Sequence, residues 1–238
     1  MQTVQAEFTM AALSRIFIAL SLLVTLFPAH AAGLDAISAE ESGGALRQAL
    51  SQGAVAAVAN LGRTDGFLGN PKVKIPLPEN LQKAEKMMRK LGMGKYADEL
   101  IVTMNRAAEA AVPEAKELLL NAVKQMTLQD AKAILTGGDD SVTQYFKRTT
   151  SAPLTERFLP IVRQATERVE LAKKYNRYAK QGAKLGLIDK KDASLEAYVT
   201  EKALDGLFLM IGEEERAIRK NPLGQASSLL QKVFGALR

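Results

Sequence analysis

The chain has 238 residues, 32 Lys and Arg against 26 Asp and Glu, a formal net charge of +6, one histidine, no cysteine and no tryptophan. That histidine, His30, lies in the N-terminal segment, so the rest of the chain cannot supply a Ser-His-Asp or Cys-His nucleophile. Structural zinc sites and His-ligated haem are excluded for the same reason, which leaves carboxylates, Lys, Tyr, Ser/Thr or an oxygen-bound metal for any catalysis.

The first element expected is an export signal over residues 1–31. Arg15 precedes the uncharged run Ile16–Phe27, which is followed by the helix breaker Pro28 and the small-x-small triplet Ala29-His30-Ala31. The run has 12 residues, short of the roughly 20 that span a bilayer. Glu7 makes the basic region unusual, and Met10 is an alternative start. No cysteine is present for lipid attachment, and an exported chain without disulfides fits a bacterial periplasm. The expected mature protein is one helical domain over residues 32–238, soluble and without a transmembrane span.

The rest reads as all-α: an irregular bundle of about eight to nine helices with one extended Pro/Gly-rich arm at about 62–80. Ser38 and Glu41 form a capping box ahead of a helix carrying Leu46, Leu50, Ala54, Ala57, Val58 and Leu61. Three glycines and three prolines between Gly62 and Asn80 interrupt it, and Val73, Ile75 and Leu77 alternate there as in an extended segment. Pro76 and Pro78 argue against a central strand. Helices then resume, with apolar faces at Leu81, Ala84, Met88 and Leu91, at Tyr96, Leu100, Met104, Ala107 and Ala111, and at Leu119 and Val123. Thr127 caps a short helix, and Asp139 or Asp140 caps another holding Val142, Tyr145 and Phe146. One helix is expected from about Ser151 to Leu185 with a kink at Pro160, one from about Ser194 to Lys220, and a terminal one carrying Leu229, Leu230, Val233, Phe234 and Leu237. Met87, Met88, Met93, Met104, Met126 and Met210 are expected to fill core gaps or to line an adaptable apolar pocket.

Three constellations are chemically suggestive. In Leu204–Arg216, "LDGLFLMIGEEER", an ideal wheel places apolar residues over most of the circumference, which predicts a central buried helix. The three glutamates that follow fan about 100° apart, with Glu215 in reach of Arg219 and Glu214 alone on the apolar face as the candidate buried carboxylate. The loop "TGGDDSVTQY" offers Asp139, Asp140, Thr143 and Tyr145 as a polar cluster. It lacks the alternating acids of a calcium loop, so helix capping is preferred and no metal is assigned. Arg163, Lys173, Lys174, Arg177, Lys180 and Lys184 fall within about 120° of arc, either a solvated face or a contact for an anionic envelope surface. No nucleic-acid motif is present, and no cofactor is expected.

The segments "DGFLGNPKVKIPLPENL", "MNRAAEAAVPEAK", "MTLQDAKAILTGGDDSVTQYFKRTT" and "VTEKALDGLFLMIGEEERAIRKNP" together resemble the bacterial family called domain of unknown function 4197, over about Leu46 to Phe234. The resemblance implies an exported, mostly helical protein and supplies no catalytic residues. Non-enzymatic binding or assembly in the cell envelope, with a lipid or protein partner, is therefore the reading preferred. The alternative is a carboxylate enzyme acting on envelope glycan. It would need two acids about 5 Å or 6.5–9.5 Å apart, with Glu214, Asp139, Asp140 and Asp205 as candidates.

Overall fold

The structure is a computed structural model and is described for residues 39–185 and 194–220. The signal segment, the Ser38 capping box and the terminal helix lie outside the described residues. The described chain is all-α, with helices α1 (Ala39–Gly62), α2 (Glu79–Lys90), α3 (Gly94–Ala111), α4 (Ala115–Gln125), α5 (Leu128–Thr136), α6 (Ser141–Thr166), α7 (Glu170–Lys184) and α8 (Leu195–Lys220), and a short 3-10 turn at Val112–Glu114.

The most extensive pairing is α6 on α8, with α3 against both and α1 packed on α4 and α8. Helix α8 is the buried centre that its sequence predicts: Leu195, Val199, Ala203, Leu207 and Ile211 face inward, and Leu209 is 40% exposed on the far side. From α1, the face Leu46, Leu50, Ala54, Ala57, Val58 and Leu61 meets this core. At Gly206 the helix surface is bare, and the ring of Phe67 fills the space: a Cβ there would come within 2.7 Å of Phe67 Cε1.

Phe67 belongs to the arm, which is a run of turns to Val73 followed by an extended stretch at 74–78 with no strand pairing. Extended backbone without a ladder must find other partners for its amides and carbonyls. Asn105 on α3 supplies them: it accepts from Ile75 N at 2.8 Å and donates to Ile75 O at 2.9 Å. The hydroxyl of Tyr198 on α8 donates to Pro76 O at 3.0 Å. The arm is thus a coil sewn onto two helices by side chains.

The long helix expected from Ser151 to Leu185 is not continuous. It begins at Ser141, runs through both Pro153 and Pro160 and ends at Thr166. The hydroxyl-rich stretch that separates two helices in the sequence reading is absorbed within one. Thr149, Thr150 and Ser151 each donate to the carbonyl four residues back, at 2.8, 2.7 and 2.6 Å. The break falls at 167–169 instead, where Val169 N donates to Thr166 O at 3.0 Å. After it, α7 packs on α3 and α8 and buries Val169, Ala172, Tyr175 and Ala179.

Candidate functional site

Three glutamates are buried among the described residues, and each is engaged by several donors. Glu215, 4% exposed, lies against the start of α6. Asp140 occupies the N-cap position of that helix, but its side chain makes no capping bond. Glu215 caps the helix across the fold instead: Oε1 accepts from Val142 N at 3.0 Å, and Oε2 from Thr143 N and Thr143 Oγ1, both at 3.1 Å. A carboxylate on free helix-terminal amides is stabilised by their aligned dipoles. Arg219 closes the knot, with Nη2 at 3.0 Å from Glu215 Oε1, 2.7 Å from Ser141 Oγ and 3.1 Å from Ile134 O.

Glu109, 5% exposed, does the same for the arm. Its Oε1 accepts from Phe67 N at 3.0 Å and Leu68 N at 3.1 Å, and its Oε2 pairs with Arg106 at 2.6 Å. Arg106 reaches on to Asp65 at 2.8 Å, and Asp65 is the one described non-glycine residue with positive φ, at 65°. Glu196, 8% exposed, joins α6, α7 and α8: it accepts from Thr166 Oγ1 at 3.3 Å and from Asn176 Nδ2 at 2.7 Å. These carboxylates tie separate elements of the fold together.

The residues singled out in the sequence do not converge. Glu214, read as the buried acid, is half-buried at the edge of a cavity of about 30 Å³, room for roughly one water. The partner helix decides which glutamate is buried. Glu214 and Glu215 both fall on the wide apolar arc of α8, and the donors of α6 meet Glu215. Asp139 and Asp140 are exposed, and Asp140 accepts from Gln144 Nε2 at 3.1 Å. Thr143 turns inward to Glu215, whereas Tyr145 points elsewhere, its hydroxyl donating to Ala122 O at 2.7 Å. Burial pushes the Tyr145 phenol above its ordinary pKa. Among the described residues no three acids group closely enough to hold a metal ion. Arg163, Lys173, Lys174, Arg177, Lys180 and Lys184 are all exposed, but Arg163 stands on α6, beyond the break, and Lys173 is paired with Glu170 at 2.7 Å.

What the sequence reading missed is a groove between α6 and α8 of about 470 Å³, within the size range of small-molecule sites. One wall carries Lys147, Ser151 and Thr155 of α6, and the other Glu201 and Asp205 of α8. Leu204 and Phe208, 8% and 4% exposed, form its apolar base. Lys147 Nζ stands 5.9 Å from the Phe208 ring centroid, and Lys202 Nζ lies 3.2 Å from Asp205 Oδ2. Thr200, also lining the groove and 2% exposed, has a buried hydroxyl without a hydrogen-bond partner among the described residues. Glu201 and Asp205 are four apart in the sequence, one turn of α8. The facing wall was not legible, because it required α6 to run unbroken through "TTSAP".

The sequence profile of a protein family described as "Protein of unknown function (DUF4197)" matches residues 36–235. The chain belongs to that family. No curated protein and no solved structure matches it. Membership in DUF4197 thus accompanies an all-α fold, with no helix among the described residues long and apolar enough to cross a membrane.

Proposed function

We propose that this DUF4197 protein is a non-enzymatic binding protein of the cell envelope, exported to the periplasm by residues 1–31, and that its ligand seat is the groove between α6 and α8. The observation that carries the reading is the groove's lining: an ammonium and two hydroxyls on one wall, two carboxylates on the other, and an apolar base. Such a mixture suits a small molecule bearing amino or hydroxyl groups, held by a few polar contacts over an apolar floor.

A glycan-cleaving enzyme is less well supported. Glycoside hydrolysis places two carboxyl groups on either side of the scissile bond. Glu201 and Asp205 lie one turn apart on the same wall, and α6 opposes them with Lys147, Ser151 and Thr155. Asp139 and Asp140 lie outside this groove, and Glu214 lines the separate cavity among α1, α6 and α8.

Native mass spectrometry of protein purified from the periplasm of its own host tests the proposal. The expected spectrum shows a chain shortened by 31 residues that retains a small polar molecule, and Lys147→Ala or Asp205→Asn releases it. A full-length chain would contradict the export reading. A clean apo mass, or retention unaffected by both substitutions, would contradict the groove.

A further inference from the structure

The α2–α3 hairpin departs most from its sequence pattern. Leu91 and Tyr96 fall on apolar faces in the sequence, and methionines are expected in the core, yet Leu91 is 69% exposed, Met87 67%, Met93 45% and Tyr96 44%. All four stand within ten residues, at one end of one hairpin. Large apolar side chains exposed singly are ordinary, but a cluster of them marks a contact surface.

The end of this hairpin is held in a fixed shape. Gly92 has φ +73°, and Met93 N donates to Met88 O at 2.8 Å while Gly92 N donates to Arg89 O at 3.1 Å. This pair of bonds is the Schellman arrangement that ends a helix on a left-handed glycine. Arg89 then fastens α2 to α3, donating to Glu85 Oε1 at 2.8 Å and to Asp98 across the turn. A Cβ built on Gly92 meets nothing within 4 Å, so the turn faces open space. It is a convex, preformed tip.

Charge decides what would cover it. Residues 85–96 hold four bases and one acid. Arg89 is neutralised by Glu85 and Asp98, but Lys86, Lys90 and Lys95 are exposed and form no ion pair among the described residues. Lys95 Nζ lies 5.1 Å from the Tyr96 ring centroid. Exposed apolar side chains at the tip, with exposed lysines close by in the sequence, match the boundary of an anionic bilayer: the apolar atoms enter the acyl region and the ammonium groups stay with phosphate. Tyrosine is at home in that layer. A protein partner would need a concave surface of matching acidity, whereas a bilayer deforms around the tip.

We propose that the α2–α3 tip is a reversible docking site for the surface of an anionic lipid bilayer, with Met87, Leu91 and Met93 entering the interface and Lys86, Lys90 and Lys95 contacting headgroup phosphates. The site is separate from the α6–α8 groove and does not depend on it.

The chain contains no tryptophan, which makes a reporter simple to place. Leu91→Trp carries it at the tip, and Leu128→Trp, at an equally open position on α5, serves as control (Leu128 is 63% exposed). On vesicles of phosphatidylcholine with phosphatidylglycerol, Leu91→Trp emission is expected to shift to shorter wavelength and resist an aqueous quencher, and Leu128→Trp is expected to do neither. Co-sedimentation of the unmodified chain should require the anionic lipid and weaken with salt. Leu91→Ser/Met93→Ser should weaken it about 10-fold or more with an unchanged melting temperature. Equal shifts at both positions, no shift at either, or a double variant that still sediments like the unmodified chain would each overturn the assignment.

Discussion

The end of α8 and the tip of the α2–α3 hairpin break the ordinary burial rule in opposite directions. At the first, a glutamate is buried at 4% exposure among helix ends; at the second, four large apolar residues stand between 44% and 69% exposed. The first exception is compensated within the fold. Glu215 receives two backbone amides, a hydroxyl and a guanidinium, so its burial costs little once Val142, Thr143 and Arg219 are in place. The second has no compensation inside the described protein. A buried charge with all its partners present belongs to stability, and apolar surface that no described residue covers is available for a contact.

Substitutions should separate the two kinds of site, and the largest effect is expected at Glu215. Glu215→Ala removes the counter-charge of Arg219 and the acceptor of two α6 amides, and should cost about 3–5 kcal/mol, read from the denaturant midpoint. Glu215→Gln keeps an acceptor and should cost less. Glu109→Ala removes the acceptor for Phe67 N and Leu68 N, and about 2–3 kcal/mol is expected, with faster hydrogen exchange at those two amides. Gly206→Ala drives a methyl to within 2.7 Å of a fully buried Phe67 ring, which should cost about 1–3 kcal/mol in thermal unfolding.

A smaller effect, about 1 kcal/mol, is expected from Thr127→Ala, which opens the capping box of α5. Its partner Asp130 has a pKa lowered first by the Thr127 hydroxyl and then by the Thr127 amide. A lowered carboxylate pKa stabilises the fold above the ordinary carboxylate range, and that contribution is lost as pH falls through the lowered value. The stability gap between the native chain and Asp130→Asn should therefore be full near neutrality and close in acid. The smallest effect on stability, within about 0.5 kcal/mol, is expected from Leu91→Ser/Met93→Ser at the tip, where binding to anionic vesicles should change most.

Much of the fold was legible because its helices carry clear apolar stripes and punctuation. The face of α1, the buried girth of α8, the Thr127 cap and the arm after Gly62 follow from period and turn residues alone. The boundary between α6 and α7 was not legible. Local rules make "TTSAP" a stop, but the hydroxyls bond back to their own helix, and packing decides where the chain turns.

The site residues were harder to read for a related reason. On a wheel, Glu214 and Glu215 both lie within the wide apolar arc of α8, and only the position of α6's free amides distinguishes them. A usable signal was present for Glu109: Asn105 and Glu109, four apart, interrupt an alanine-rich buried stripe just where an arm with no ladder needs partners. The tip was misread because periodicity marks Leu91 and Tyr96 as inward-facing, and periodicity carries no information on whether a neighbouring element arrives to cover them.

The buried glutamates serve stability, and the proposed lipid contact belongs to the hairpin tip. Measuring the affinity of Glu215→Gln and of Leu91→Ser/Met93→Ser for phosphatidylglycerol-containing vesicles, both under conditions where they remain folded, tests that division most directly. Near-native affinity is expected for the first, despite its lower stability, and loss of binding for the second. Weakened binding by Glu215→Gln with native affinity in the tip variant would contradict it.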